Sequence, residues 1–188
     1  MVYLEILVVL GSYIKVAGRW SIMKIAICGK MASGKTTLAD WFVEHHDFQK
    51  ISLAAKVKSI AADLFGMVHK DRRLLQQIGM KMREIREDVW IDYLINHDGE
   101  NLIVDDVRFI NEAEKLKAAG WTLIRINIDD DLQRERLQFT YPDDWEVHWN
   151  SRHDSSEAQV DLIPADLLDL EVTAVNQHWP VDDLKALL

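Results

Sequence analysis

The sequence predicts an α/β protein: a five-stranded parallel sheet carrying helices on both faces, layered α/β/α. Three observations support that expectation. Short apolar runs alternate with longer amphipathic stretches along the chain. Several of the apolar runs lack polar alternation, as strands do when both faces of a sheet are covered. Only three prolines and eight glycines interrupt 188 residues, without repeats or low-complexity linkers, so residues 23–188 are expected to form one domain.

Residues 1–22 stand apart. "YLEILVVL" is apolar but too short to span a bilayer, and Glu5, Lys15 and Arg19 interrupt the longer stretch. No basic leader with a small-residue cleavage site is legible. Met23 stands directly before "KIAICGK", so residues 1–22 read as an extension dispensable for chemistry, as a misplaced start codon would produce. The alternative is an extra strand or helix packed on the domain.

From there the elements follow in order. "KIAIC" (24–28) reads as the first strand and 35–46 as a helix. "FQKISL" (48–53) is the second strand, followed by helical patterns at 54–65 and, with a break, at 71–97. "NLIVD" (101–105) is the third strand and 111–119 a helix; "TLIRINI" (122–128) is the fourth strand. The stretch "QFTYPDDWEVHWN" has no periodicity and reads as a mobile cover, part of a short lid over about residues 134–153. Asp154-Ser155-Ser156-Glu157 reads as a helix start with a reciprocal glutamate, opening a helix at 155–160. "LEVTAV" (170–175) is the fifth strand and 181–188 a last helix. Gly66 and Gly120 sit where left-handed helix ends favour glycine.

The formal charge of −9 argues against a surface that neutralises a nucleic-acid polymer, although a local basic cleft for a small anion remains open. The single cysteine, Cys28, cannot form an intramolecular disulfide and is expected in the core. A cytoplasmic protein without a membrane partner is expected, as a monomer or homodimer.

The most specific signal is "CGKMASGKTT". Gly29 to Thr36 fit G-x-x-x-x-G-K-[ST] in full, between an apolar strand and a helical run. Glycines at 29 and 34 let backbone amides approach a phosphate chain, as do Ala32, Ser33 and Thr37 around them. The helix beginning at about Lys35 points its N-terminal dipole at the same anion. Lys35 would reach the β- and γ-phosphates of ATP, and the Thr36 hydroxyl would bind Mg2+.

Asp105 and Asp106 end the third strand, at the sheet edge where a parallel α/β fold binds ligand, and either acid suits the metal or its waters. Alternation alone leaves the choice open, with Asp105 preferred. On the 71–97 stretch, Arg72, Gln76, Gly79, Arg83 and Arg86 share a face at 100° per residue, beside an apolar stripe of Leu75, Ile78, Met82, Ile85 and Val89. Guanidinium groups suit a second anion, while a solvated face paired with local acids, or a helix broken at Gly79, explains the same pattern. Lys56 and Lys58 on the preceding helix stand in the same position. Arg108 emerges beside the acids, and Arg134, Arg136 and Arg152 flank the cover, placed to neutralise a phosphoryl group in flight.

Taken with that loop, "RRLLQQIG", "MREIREDVW" and "DDVRFINEAEKLKAAG" make the chain resemble the deoxynucleoside monophosphate kinases carried by bacteriophages, relatives of adenylate kinase. The likeness spans about residues 23–165. It implies a nucleoside monophosphate kinase-like P-loop fold, transfer of the ATP γ-phosphate to a deoxynucleoside monophosphate with Mg2+, and an acceptor region over about 53–97. Asp106, Arg108 and Glu112 stand in the family's D-V-R…N-E string, and Arg83 at its arginine after the glycine of "LLQQIG". The family's F-A-D-P-L-K string is matched only loosely by Leu53-Ala54-Ala55-Lys56-Val57-Lys58. Ile110 replaces a family proline, and the histidine of its His-x-Ser-Glu element is Asp154. Two other readings stay open: a kinase of a non-nucleotide phosphorylated metabolite, and a nucleotide-binding switch, the latter weakened by the lack of an N-K-x-D string.

Overall fold

The computed structural model describes residues 23–153 and 155–174. The expected N-terminal extension and the helix at 181–188 lie outside the described residues. Strands β1 (Lys24–Gly29), β2 (Gln49–Ile51), β3 (Leu102–Val107), β4 (Thr122–Asn127) and β5 (Leu170–Thr173) form one sheet in the order β2-β3-β1-β4-β5. Every neighbouring pair is parallel. The helices are α1 (Lys35–His46), α2 (Leu53–Phe65), α3 (Arg72–Ile85), α4 (Val89–Ile95), α5 (Ile110–Ala118), α6 (Asp130–Thr140), α7 (Trp145–Asn150) and α8 (Ser155–Asp161).

Pleating divides the core into two layers. Ile25, Ile27, Ile103, Ile124 and Ile126 face Leu38, Trp41 and Phe42 of α1. Ala26, Cys28, Leu102, Val104 and Leu123 face the other way, against Trp90, Ile91 and Leu94 of α4 and Ala113 and Leu116 of α5. Both faces of the sheet are therefore dry, which explains strands read as continuous apolar runs. Burial also raises the pKa of the Cys28 thiol, in keeping with a core residue.

Four expectations change. Gly79 does not break its helix: α3 runs through it to Ile85, and a Cβ at Gly79 would meet open space. The break falls at Arg86, whose backbone is extended (φ −151°), so Arg86 leaves the arginine face and pairs with Asp92 of α4. Ile85, assigned to the core stripe, is 81% exposed at the last residue of α3, while Ile78 and Met82 of the same stripe pack inward. Residues 130–140, assigned to no element up to 137 and to the aperiodic cover from 138, form α6, with Asp129 accepting the Leu132 amide at its start, and the cover also contains α7. The left-handed helix end at Gly66 (φ 66°) is as expected.

Candidate active site

The loop after β1 is shaped by its backbone. Gly29 has φ 152° and Gly34 φ 102°, both positive, and Ala32 joins them at φ 62°. At Gly29 a Cβ would lie 2.5 Å from the Ile126 carbonyl oxygen of β4, so only glycine fits against the neighbouring strand. Gly34 caps α1 without a side-chain acceptor, leaving the first amides of that helix to a ligand. A cavity of about 700 Å³ opens there, lined by Ala32, Gly34, Lys35, Thr36 and Thr37 and by Arg136, Phe139 and Tyr141 of the α6 end.

Lys35 is buried and donates to the Lys30 carbonyl at 2.7 Å. Burial, then the nearby Arg108 charge, lowers its pKa to about 8, while Glu157 and Asp105 act in the other direction. The loop is braced from behind. Gln133 of α6 donates to the Met31 carbonyl at 2.9 Å, and Arg136 Nη1 donates to the carbonyls of Ala32 (2.9 Å) and Ser33 (3.1 Å). The Met31 amide donates to Glu157 Oε2 at 2.7 Å, and Lys30 pairs with Asp161 at 3.1 Å, so α8 is fastened to the loop at two points.

The paired acids are parted by the pleat. Asp105 faces the α1 side and pairs at 2.9 Å with Lys50, which also reaches Asp40. Asp106 faces the other side, where it accepts the Ala54 amide at the start of α2 (3.2 Å). Burial pushes the Asp106 carboxyl up to about 6; the Ala54 amide opposes the shift, and the charges of Asp105 and Glu112 add to it.

On the acceptor side, each of two arginines is held by a buried carboxylate. Arg83 donates to Glu112 Oε1 at 3.1 Å and lies over the Phe109 ring. Glu112 Oε2 also accepts the backbone amides of Arg108 and Phe109, closing the start of α5. The Arg108 guanidinium donates to Glu157 Oε1. Of the other sequence candidates, Lys56 rests over Tyr93 and Gln76 is exposed. Arg72 opens α3, but its side chain lies outside the described ones. Arg134 and Arg152 both stack on Trp149, at 4.8 and 3.9 Å from guanidinium carbon to ring centre.

Lys50, Gln133 and Glu157 were not legible as site residues. Glu157 was assigned to a reciprocal helix start, whose Asp154 end lies outside the described residues; its Oε2 goes to Met31 and its Oε1 to Arg108. For Gln133 the available signal was a polar residue on the inner face of a helix that opens with an aspartate cap.

A glycine loop leading from the central strand of a parallel sheet into a helix, with lysine and threonine at the rim of a cavity, defines a P-loop domain, here in the kinase form of the fold. The chain belongs to the AAA domain family, whose profile matches residues 25–144. Solved structures with the same fold include shikimate kinase from Bacteroides thetaiotaomicron (TM-score 0.60, 16% identity, covering 88% of this chain and 97% of that one). Shikimate kinase from Aquifex aeolicus matches at TM-score 0.54 and 15% identity, covering 88% and 94%. An uncharacterized protein from Eubacterium ventriosum matches at 0.55 and 16%, covering 88% and 97%. At these identities the likeness is one of fold. No curated protein matches the sequence.

Proposed function

We propose that the protein transfers the γ-phosphoryl group of ATP to a deoxynucleoside monophosphate. The observation that carries this reading is a glycine loop with a buried lysine standing beside two arginines from other elements, a set of groups suited to two anions. The glycine loop, Lys35 and the start of α1 suit the donor phosphates, while Arg83 of α3 and Arg108, directly after β3, offer two further guanidinium groups, that of Arg108 close enough to Lys35 to lower its pKa. Each guanidinium is held by a carboxylate that an incoming phosphate would relieve or share. Positioning of the two phosphates supplies most of the catalysis in this chemistry.

Among the described residues no group of three or more His, Cys, Asp or Glu side chains could hold a metal ion. That fits Mg2+, which keeps several waters and takes its remaining ligands from phosphates and one or two protein oxygens. Thr36, exposed at the cavity rim, would hold it, with Asp105 on the same side of the sheet ordering its waters. When bound, the ion would neutralise charge on the phosphates.

A second reading is a P-loop kinase of a small non-nucleotide acid, favoured by the shikimate kinases among the fold relatives. ADP release measured over a panel of deoxy- and ribonucleoside monophosphates, shikimate and phosphorylated metabolites separates the two. Release only with non-nucleotides would overturn the first reading. ADP release needing no acceptor would mark a nucleotide-hydrolysing switch.

Arg83→Ala should raise the acceptor KM about 10- to 100-fold, the loss expected of one charge-assisted hydrogen bond, with kcat changed far less. The melting temperature should be followed in parallel, because the change also leaves the buried Glu112 without its counter-charge, held only by the amides of Arg108 and Phe109. Unchanged acceptor kinetics would remove Arg83 from the site.

Lys35 makes a pH-dependent prediction. Its folded pKa of about 8 lies below the ordinary 10.5, and donor phosphates reaching Nζ would raise it again. ATP binding at about pH 9 should therefore take up a proton in the wild type that Lys35→Met does not take up. Near pH 7, where the ammonium is already charged, the two should match. Calorimetry in buffers of different ionisation enthalpy reads this; equal uptake by both proteins at the higher pH would contradict it.

A further inference from the structure

Among the described residues, Glu157 alone bonds both the donor loop and an acceptor-side arginine. It is 3% exposed, its Oε2 accepts the Met31 amide, and its Oε1 accepts the Arg108 guanidinium. Met31 lies in the middle of the glycine loop, and the peptides on either side of it are each held, the Lys30–Met31 peptide by Glu157 at its amide and the Met31–Ala32 peptide by Gln133 at its carbonyl. The Met31–Ala32 peptide carries the next loop amide, so the orientation of these two peptides sets which way the loop amides point. Glu157 stands on α8, directly after the segment that carries α7, and α8 is also tied to Lys30 through Asp161.

A carboxylate buried this deeply needs both partners, since a buried charge without compensation is strongly unfavourable. Its two bonds are therefore coupled. Removing the guanidinium leaves the carboxylate without its counter-charge, so that it turns toward water and its hold on Met31 weakens. In the other direction, losing the charge on Glu157 frees Arg108 to adopt other rotamers.

We propose that Glu157 is a positioning residue that joins the donor loop to Arg108 and keeps the two anion-binding halves at a fixed relative placement. It touches neither substrate, and its effect on transfer passes through Arg108. The kinetic part of this proposal rests on the kinase reading above; the structural part does not.

Two measurements test it. In the nucleotide-free protein labelled with nitrogen-15, amide hydrogen exchange at Met31 should quicken about threefold or more in Arg108→Ala. Arg83→Ala, which breaks the neighbouring Glu112 pair, should leave Met31 unchanged. No change in Arg108→Ala, or an equal change in Arg83→Ala, would overturn the link.

In steady-state ADP release, Glu157→Gln keeps an acceptor for the Met31 amide but loses the charge on Arg108. It should lower kcat about tenfold while the ATP Kd moves less than about threefold, and should cost nothing further in an Arg108→Ala background. An undiminished loss in that background would show that Glu157 acts independently of Arg108, against the proposal. If the wild type releases ADP with no acceptor on the panel, the kinase reading fails, and the Met31 exchange still decides the link.

Discussion

Lys35→Met should abolish transfer and, in the same protein, raise the melting temperature in the absence of nucleotide. The two effects share one cause. Lys35 holds its ammonium in a buried position beside the glycine loop, with the Lys30 carbonyl as its hydrogen-bond acceptor and Arg108 close enough to repel it. Transfer should fall by about 10³ or more, because the lysine is the fixed charge of the glycine loop and would offset the charge that develops on the donor phosphates in the transition state. Stability moves the other way. The folded pKa of about 8 lies below 10.5, so the desolvation cost is present in full below about pH 8 and is relieved as pH rises toward 10.5. That cost is on the order of 3 kcal/mol, and losing the hydrogen bond to Lys30 returns about 1 kcal/mol. The variant should therefore melt a few degrees higher near pH 7, and the wild type should close the gap at high pH. A variant that melts lower at pH 7 would show that the buried ammonium is not a burden to the fold.

Gly29→Ala should be the most destabilising single-methyl change in the loop. Its Cβ would sit 2.5 Å from the Ile126 carbonyl oxygen and 2.8 Å from Ser33 Oγ, on a backbone at φ 152° that alanine rarely adopts. The clash is with the main chain of β4, which cannot move without shifting the central sheet pairing. A loss of about 3–5 kcal/mol is expected, with ATP binding lost in whatever fraction still folds. Gly66→Ala is the control. That glycine has φ 66° but nothing within 4 Å of an added Cβ, so it should cost only about 1 kcal/mol of left-handed strain. Equal melting losses for the two would mean that the contact with Ile126 is not what reserves position 29 for glycine.

Legibility in the sequence followed the range of the forces involved. The donor loop was readable because its geometry is local: two glycines, a lysine and a threonine at fixed spacing dictate a turn and a helix start. The sheet was readable because five apolar runs report burial directly. The acceptor side was readable only in part. Arg83 and Arg108 were found as cations, but their present partners, Glu112 and Glu157, come from other elements. Arg86 fell on the right helical face only while the helix was taken to continue past Ile85. Helix α6 was missed because "DDLQRERLQFT" shows no sustained apolar stripe; its fixing contacts are the polar ones of Gln133 and Arg136 to the loop. The pair Asp105 and Asp106 was legible as chemistry, but its separation onto two faces depended on which way the pleat turned.

The position of β1 has a consequence for how the chain is made. This strand, synthesised before the other four, ends up in the middle of the sheet, hydrogen-bonded to β3 on one side and β4 on the other. Neither neighbour exists until the ribosome has passed residues 102–107 and then 122–127. Until then an apolar strand must wait through closure of two long loops, a slow step in sheets built from distant pairings. Nascent chains released before β4 has emerged should therefore hold an unformed glycine loop, exposed to proteases and to aggregation, and depend on holding chaperones during synthesis.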